Sequence, residues 1–129
     1  MGCDIHMHTE RFANGRWEHV ADGPYDDRNY DLYWVLGENP RRPGPNPPIG
    51  AYRGVPEDAS LETKRDAGVW GSDGHSHTWL SLAELQRWIE RYPSQREVDE
   101  SSFWSRDIEK LLAIDARPEH VRIVFWFDN

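Results

Sequence analysis

The sequence predicts an α+β domain: a small antiparallel sheet including an N-terminal hairpin and a C-terminal strand, packed with about three helices and a long proline-rich loop. Three observations carry that prediction. A period-two segment doubles back at Asn14-Gly15, a strong hairpin signal. Ser81 and Glu84 stand at capping-box spacing ahead of an apolar stripe. Val121 to Phe127 is dense in β-branched and aromatic residues, as a central strand should be. The chain has 129 residues, enough for one modest core and one domain, 1–129.

Each element follows from local chemistry. Residues 3–21 read as the hairpin, and a two-residue turn pairs Ala13 with Arg16, Phe12 with Trp17, Arg11 with Glu18 and Glu10 with His19. Alternation then puts Asp4, His6, His8 and Glu10 on one face and Ile5, Met7 and Thr9 on the other. Asn29 to Leu36 reads as a short helix closed by Gly37, with Asn29 available as its cap. Residues 38–56 hold most of the prolines and form a loop too long for a simple connector: a lid, a binding wall or a linker. A weak helix is expected from Glu57 to Ala67, with Pro56 at its start. Trp70 to Leu80 reads as extended or looped. The helix opening at Ser81 buries Leu82, Leu85, Trp88 and Ile89 and stops at Pro93. A further helix is expected from Ser102 to Ile114, with Phe103, Ile108, Leu111 and Leu112 inward.

Composition narrows the function classes. The formal charge is −8, from 23 acidic and 15 basic residues, so general nucleic-acid binding is disfavoured. A small anionic ligand held by a few arginines or by metal ions is compatible with it. The one cysteine, Cys3, makes no intrachain disulfide and fits a reducing, cytoplasmic setting. Cys3 is expected to be a small buried side chain. No apolar run is long enough to span a membrane, and the start has neither a signal peptide nor a myristoylation pattern.

The residues that point to chemistry are two copies of one spacing, Asp4-x-His6-x-His8 and Asp73-x-His75-x-His77. Residues two apart on a strand share a face, so an H-x-H pair can bring two imidazoles to one ion, with the aspartate as a ligand or an orienting group; the first copy has the regular frame of a hairpin strand and the second, in an extended or looped segment, does not. Imidazole and carboxylate ligands suit a divalent transition metal, Zn or Mn foremost. Four histidines around a structural zinc, or surface histidines with no ion, are the bland alternatives. Asp73 and Glu10 are both candidates for the general base, with nothing to choose between them. Glu10 and His19 sit beside the expected centre, better placed to orient ligands than to bind. Arg53, beside Tyr52 and Gly54, has the setting of a phosphate or carboxylate clamp, and Arg28 makes a similar polar cluster with Asn29 and Tyr30. An ordinary loop arginine is an equal alternative. Trp70 and Trp79 flank the second motif, and Asp128-Asn129 ends the last strand, where site residues often stand.

The opening Met1-Gly2-Cys3-Asp4-Ile5-His6-Met7-His8 and the central Trp70-Gly71-Ser72-Asp73-Gly74-His75-Ser76-His77 resemble a group of small bacteriophage and prophage proteins. Arg28-Asn29-Tyr30, Arg53-Gly54-Val55-Pro56 and Phe127-Asp128-Asn129 extend the resemblance over most of the chain. It implies an infected bacterial cytoplasm and supplies no catalytic assignment. Many small phage proteins counter host defences, an analogy of setting only. The opening strand is also similar to the metal-binding strand of amidohydrolase and histidinol-phosphatase-like barrels, but a barrel needs about 250 residues. The sequence thus leads first to a metal-dependent hydrolase, a phosphodiesterase of a small nucleotide-like substrate. The other readings are a protein that sequesters a nucleotide signal without cleaving it, and a protein-binding inhibitor with a structural zinc.

Overall fold

The computed structural model describes residues 2–50 and 52–129. Four strands, β1 (Asp4–Ala13), β2 (Arg16–Asp22), β3 (Gly74–Ser81) and β4 (Val121–Asp128), form one antiparallel sheet in the order β2-β1-β4-β3. Among the described residues five α-helices accompany them: α1 (Tyr30–Gly37), α2 (Leu61–Trp70), α3 (Leu82–Arg91), α4 (Gln95–Asp99) and α5 (Ile108–Leu112). The class is the expected α+β. The last strand is central, as its apolar run demanded, and the hairpin turns at Asn14-Gly15 in the derived register from Glu10↔His19 to Ala13↔Arg16.

Alternation divides the sheet into two faces of different chemistry. Ile5, Met7, Ile123, Phe125, Phe127 and Leu80 enter the main core with Leu32, Leu36, Leu82, Leu85, Phe103 and Leu111. Trp126 and Val124 are equally buried but face the other side, with His6, His8 and Glu10. α2 lies against that second face, with Asp66 on His8 and Trp70 against His6.

Several boundaries differ from expectation for identifiable reasons. Gly37 belongs to α1, and the left-handed C-cap is Glu38 at φ 54°. Gly37 is instead required by packing: a Cβ there would stand 2.6 Å from Phe127 Cε2. α2 begins later than expected because Glu10, distant in sequence, accepts the N–H of its cap Ser60 at 2.7 Å. The 102–114 segment opens as a π-type turn over Phe103–Asp107 before α5, with Asp107 N–H donating to Ser102 O at 3.0 Å. α4 was not legible locally; it orients Asp99, whose carboxylate accepts from Trp104 Nε1 at 2.8 Å. The proline-rich loop is pinned to the helices: Trp34 Nε1 donates to Asn46 O at 2.9 Å and Trp88 Nε1 to Pro47 O at 3.2 Å. It packs as a wall of the core. Among the described residues, no helix is long and apolar enough to cross a membrane.

Candidate metal centre

The two copies of the motif meet different fates. In β1, strand alternation holds and Asp4, His6 and His8 lie on one face. In β3, a bulge between His75 and Thr78 breaks the alternation, with Ser76 at φ 59°. Before the bulge His75 pairs with Phe127, a residue of the core face. After it Thr78 pairs with Phe125 and Trp79 with Val124, so the extra residue turns His77 toward Trp126. His75 and His77 therefore do not chelate one ion from one face. His75 is held by Ser76 Oγ at 2.9 Å and Asn129 Oδ1 at 2.9 Å. The His77 imidazole has its pKa pushed down by burial and by the nearby His75. The expected shared site is also interrupted by the Trp126 indole, which packs against His6, His8 and His77 with ring centroids 6.2, 5.4 and 5.5 Å away.

The first copy is itself divided. β1 runs between β2 and β4, and its two histidines lean to opposite neighbours. His6 Nε2 makes a short contact with Asp128 Oδ2 on β4, while its ring lies 4.0 Å from that of Trp70. His8 turns to β2, where its Nδ1 is 3.0 Å from His19 Nε2 and 3.1 Å from Asp22 Oδ1. His19 Nε2 and Asp22 Oδ1 are 3.2 Å apart. His8, His19 and Asp22 thus form a His–His–Asp group within metal-binding distance, their ligand atoms all within 4.8 Å of one another.

A second bulge assembles this group. Residues 19 and 22 would face opposite sides of a regular strand, but the register shifts between Thr9 and Glu10 on β1. Glu10 pairs with His19 and Thr9 with Ala21, leaving Val20 as the extra residue. His19 and Asp22 then share a face with His8.

Hydrogen bonding on the far side of His8 decides what the triangle offers. His8 Nε2 stands 2.6 Å from Asp66 Oδ2 on α2. The carboxylate accepts a hydrogen bond from Nε2–H, which in a neutral ring leaves the lone pair at Nδ1. That lone pair faces the Asp22 oxygen and His19 Nε2. A neutral His19 has at most one Nε2 proton to give to the two of them. A bound cation, or an added proton, would relieve the remaining repulsion between electron pairs.

A cleft of about 230 Å³ opens beside the group, lined by His6, His8, Asp22, Asp26 and Asp66 with backbone and apolar neighbours. The remaining expected site residues lie elsewhere. Asp4 accepts from Arg28 Nε at 3.0 Å and Nη2 at 2.8 Å, so the two are engaged with each other. Arg53 is no free clamp: it donates to Glu84 Oε1 at 2.8 Å and to Trp79 O at 3.1 Å, with its guanidinium 4.5 Å above the Trp79 ring. Tyr52 donates its hydroxyl proton to Glu38 O at 3.2 Å. Asp73 is exposed in the 3-10 turn Gly71–Asp73 ahead of β3.

Glu10 is fully buried and has a different task from the expected general base. It accepts from Arg122 Nε at 2.9 Å, Ser60 N at 2.7 Å and Thr63 Oγ1 at 2.8 Å. Burial opposes its ionisation, yet the hydrogen bonds from Ser60, Thr63 and Arg122 prevail and its pKa is lowered. Arg122 in turn lies 4.0 Å from the Trp17 ring centroid and also pairs with Asp58 at 3.1 Å.

Sequence reasoning named His8 and placed His19 on its face, but missed Asp22 and Asp66. Asp22 depends on the bulge and Asp66 on helix docking, and neither leaves a local signal. Asp128, at a strand end where site residues often stand, is the partner of His6. Compared with protein-family models, curated proteins and solved structures, the chain has no match.

Proposed function

We propose that this chain is a metal-dependent hydrolase whose ion is held by His8, His19 and Asp22. The observation that carries the reading is the near-equilateral triangle of His8 Nδ1, His19 Nε2 and Asp22 Oδ1, with edges of 3.0, 3.1 and 3.2 Å. An ion about 2.1 Å from each atom would subtend ligand angles of roughly 95°. Three ligands so disposed occupy one side of the ion and leave the other side for water and substrate. Zinc or manganese suits this mixed imidazole and carboxylate set.

Such an ion would lower the pKa of a bound water toward about 7 and polarise an electrophilic oxygen. A phosphoester in a small nucleotide-like substrate remains the favoured class. Its charge would be met by the ion and the neighbouring imidazoles, since Arg28 and Arg53 are engaged with Asp4 and Glu84.

Elemental analysis of the purified protein, before and after chelation, tests the first step. One equivalent of zinc or manganese is expected, lost in His8→Ala and His19→Ala. Absence of stoichiometric metal, with no binding of added zinc or manganese, overturns the reading. Turnover is then measured on bis(4-nitrophenyl) phosphate and on cyclic nucleotides with the reloaded protein. Cleaved product is expected; ligand recovered intact after denaturation would instead mean sequestration.

A further inference from the structure

We propose that Asp66 is a positioning residue: it makes His8 bind the ion through Nδ1, and so ties α2 to the occupied site. The inference rests on the metal-binding reading above and specifies how the ligand set is held. Asp66 Oδ2 lies 2.6 Å from His8 Nε2, and the opposite edge of the same ring faces His19 and Asp22. A carboxylate on the distal nitrogen fixes the tautomer, orients the ring and raises the basicity of the ligating atom. His8 is 4% exposed, so the ring has little freedom to present its other edge.

The helix that carries Asp66 is attached in an unusual way. Among its described residues only Thr63 is buried, and Leu61 and Val69 are 56% and 81% exposed. Apolar burial therefore contributes little to docking. α2 is held instead by Ser60 and Thr63 on Glu10, Asp66 on His8, and Trp70 against His6. An ion at His8 Nδ1 withdraws electron density from the ring and makes Nε2–H a stronger donor to Asp66. The ion and the docked helix then stabilise each other by the same factor in both directions.

The test uses the full chain titrated with zinc. In the wild type, ¹⁵N spectra of labelled histidine should show His8 coordinated at Nδ1 with its Nε2 proton retained. Amide exchange across residues 62–70 should slow on zinc addition. Asp66→Ala should weaken zinc binding by about 10- to 100-fold. At saturating zinc it should also lack the slowed exchange in α2. Asp66→Asn, whose side-chain oxygen still accepts from Nε2, should restore part of both effects. Coordination through Nε2 of His8, unchanged exchange in wild-type α2, or equal zinc affinity in Asp66→Ala each overturns the proposal while leaving the metal site standing. Failure of zinc to bind the wild type overturns both. The wild-type spectra and exchange decide the matter even if the alanine variant does not fold.

Discussion

His8 stands opposite Asp22 across the β1–β2 ladder only because Val20 is inserted as a bulge between Ala21 and His19. The bulge is the device that turns two residues three apart in sequence onto one face. Removing Val20 should convert β2 into a regular strand while preserving the Glu10–His19, Thr9–Ala21 and His8–Asp22 pairs. We expect the deletion to keep zinc affinity within about tenfold, since register is set by the surviving pairs. Asp22→Ala, with the bulge intact, should lose the site. Isothermal titration with zinc compares the two, and loss of binding in the deletion alone would refute the bulge assignment.

The Trp126 indole separates the β3 histidines from the triangle. His75→Gln and His77→Gln should therefore bind zinc as the wild type does, whereas His8→Gln and His19→Gln should not. Competition against a chromophoric chelator measures this directly. A tenfold loss in His77→Gln would return the second motif to the site.

Glu10 and Arg122 form an ion pair with side chains 0% and 3% exposed. Removing one partner of such a pair leaves a buried charge uncompensated, and Arg122→Ala should cost about 3–5 kcal/mol. Urea denaturation provides the value. The change should also loosen α2, because Glu10 holds the cap of that helix at Ser60 and Thr63.

Glu84 couples stability to acid. Its hydrogen bonds from Arg53, and secondarily the Ser81 N–H, overcome burial and bring its pKa down to about 2. A carboxylate depressed in the folded state stabilises fully above its unfolded value, about 4.3, and loses that contribution as pH falls through the folded value. The contribution, discounted for solvent screening, is roughly 2 kcal/mol. Glu84→Gln retains a capping-box side chain, yet should flatten the decline in melting temperature between about pH 4.5 and pH 2. An unchanged acid profile would count against the pair.

Gly37 lies so close to Phe127 that no side chain fits without displacement. A Cβ would stand 2.6 Å from Cε2 and 2.9 Å from Cζ of that ring. Gly37→Ala improves helix propensity, but overpacking should dominate and destabilise the protein by about 1–3 kcal/mol. Thermal unfolding gives the sign; a rise in melting temperature would show that the ring can move aside.

Much of the frame was legible in the sequence because it is set by short-range rules. Asn14-Gly15 fixed the hairpin and its first four pairs, Ser81 and Glu84 fixed the start of α3, and the apolar run of 121–127 fixed a central strand. The same alternation places His8 and His19 on one face. Alternation does not carry the rest of the site, because the register shifts in both outer strands. Ser76 interrupts it in β3 and divides His75 from His77, and Val20 interrupts it in β2 and recruits Asp22.

The sequence by itself determined the strands, the helix starts and the supply of imidazoles. Only the tertiary structure decided which imidazoles converge, because that depends on bulges one residue long and on Asp66 arriving from a helix distant in sequence. A strand's period follows from its own backbone. A ligand set is a relation among segments, and the bulges and packing that bring those segments together are fixed only when the whole sheet forms.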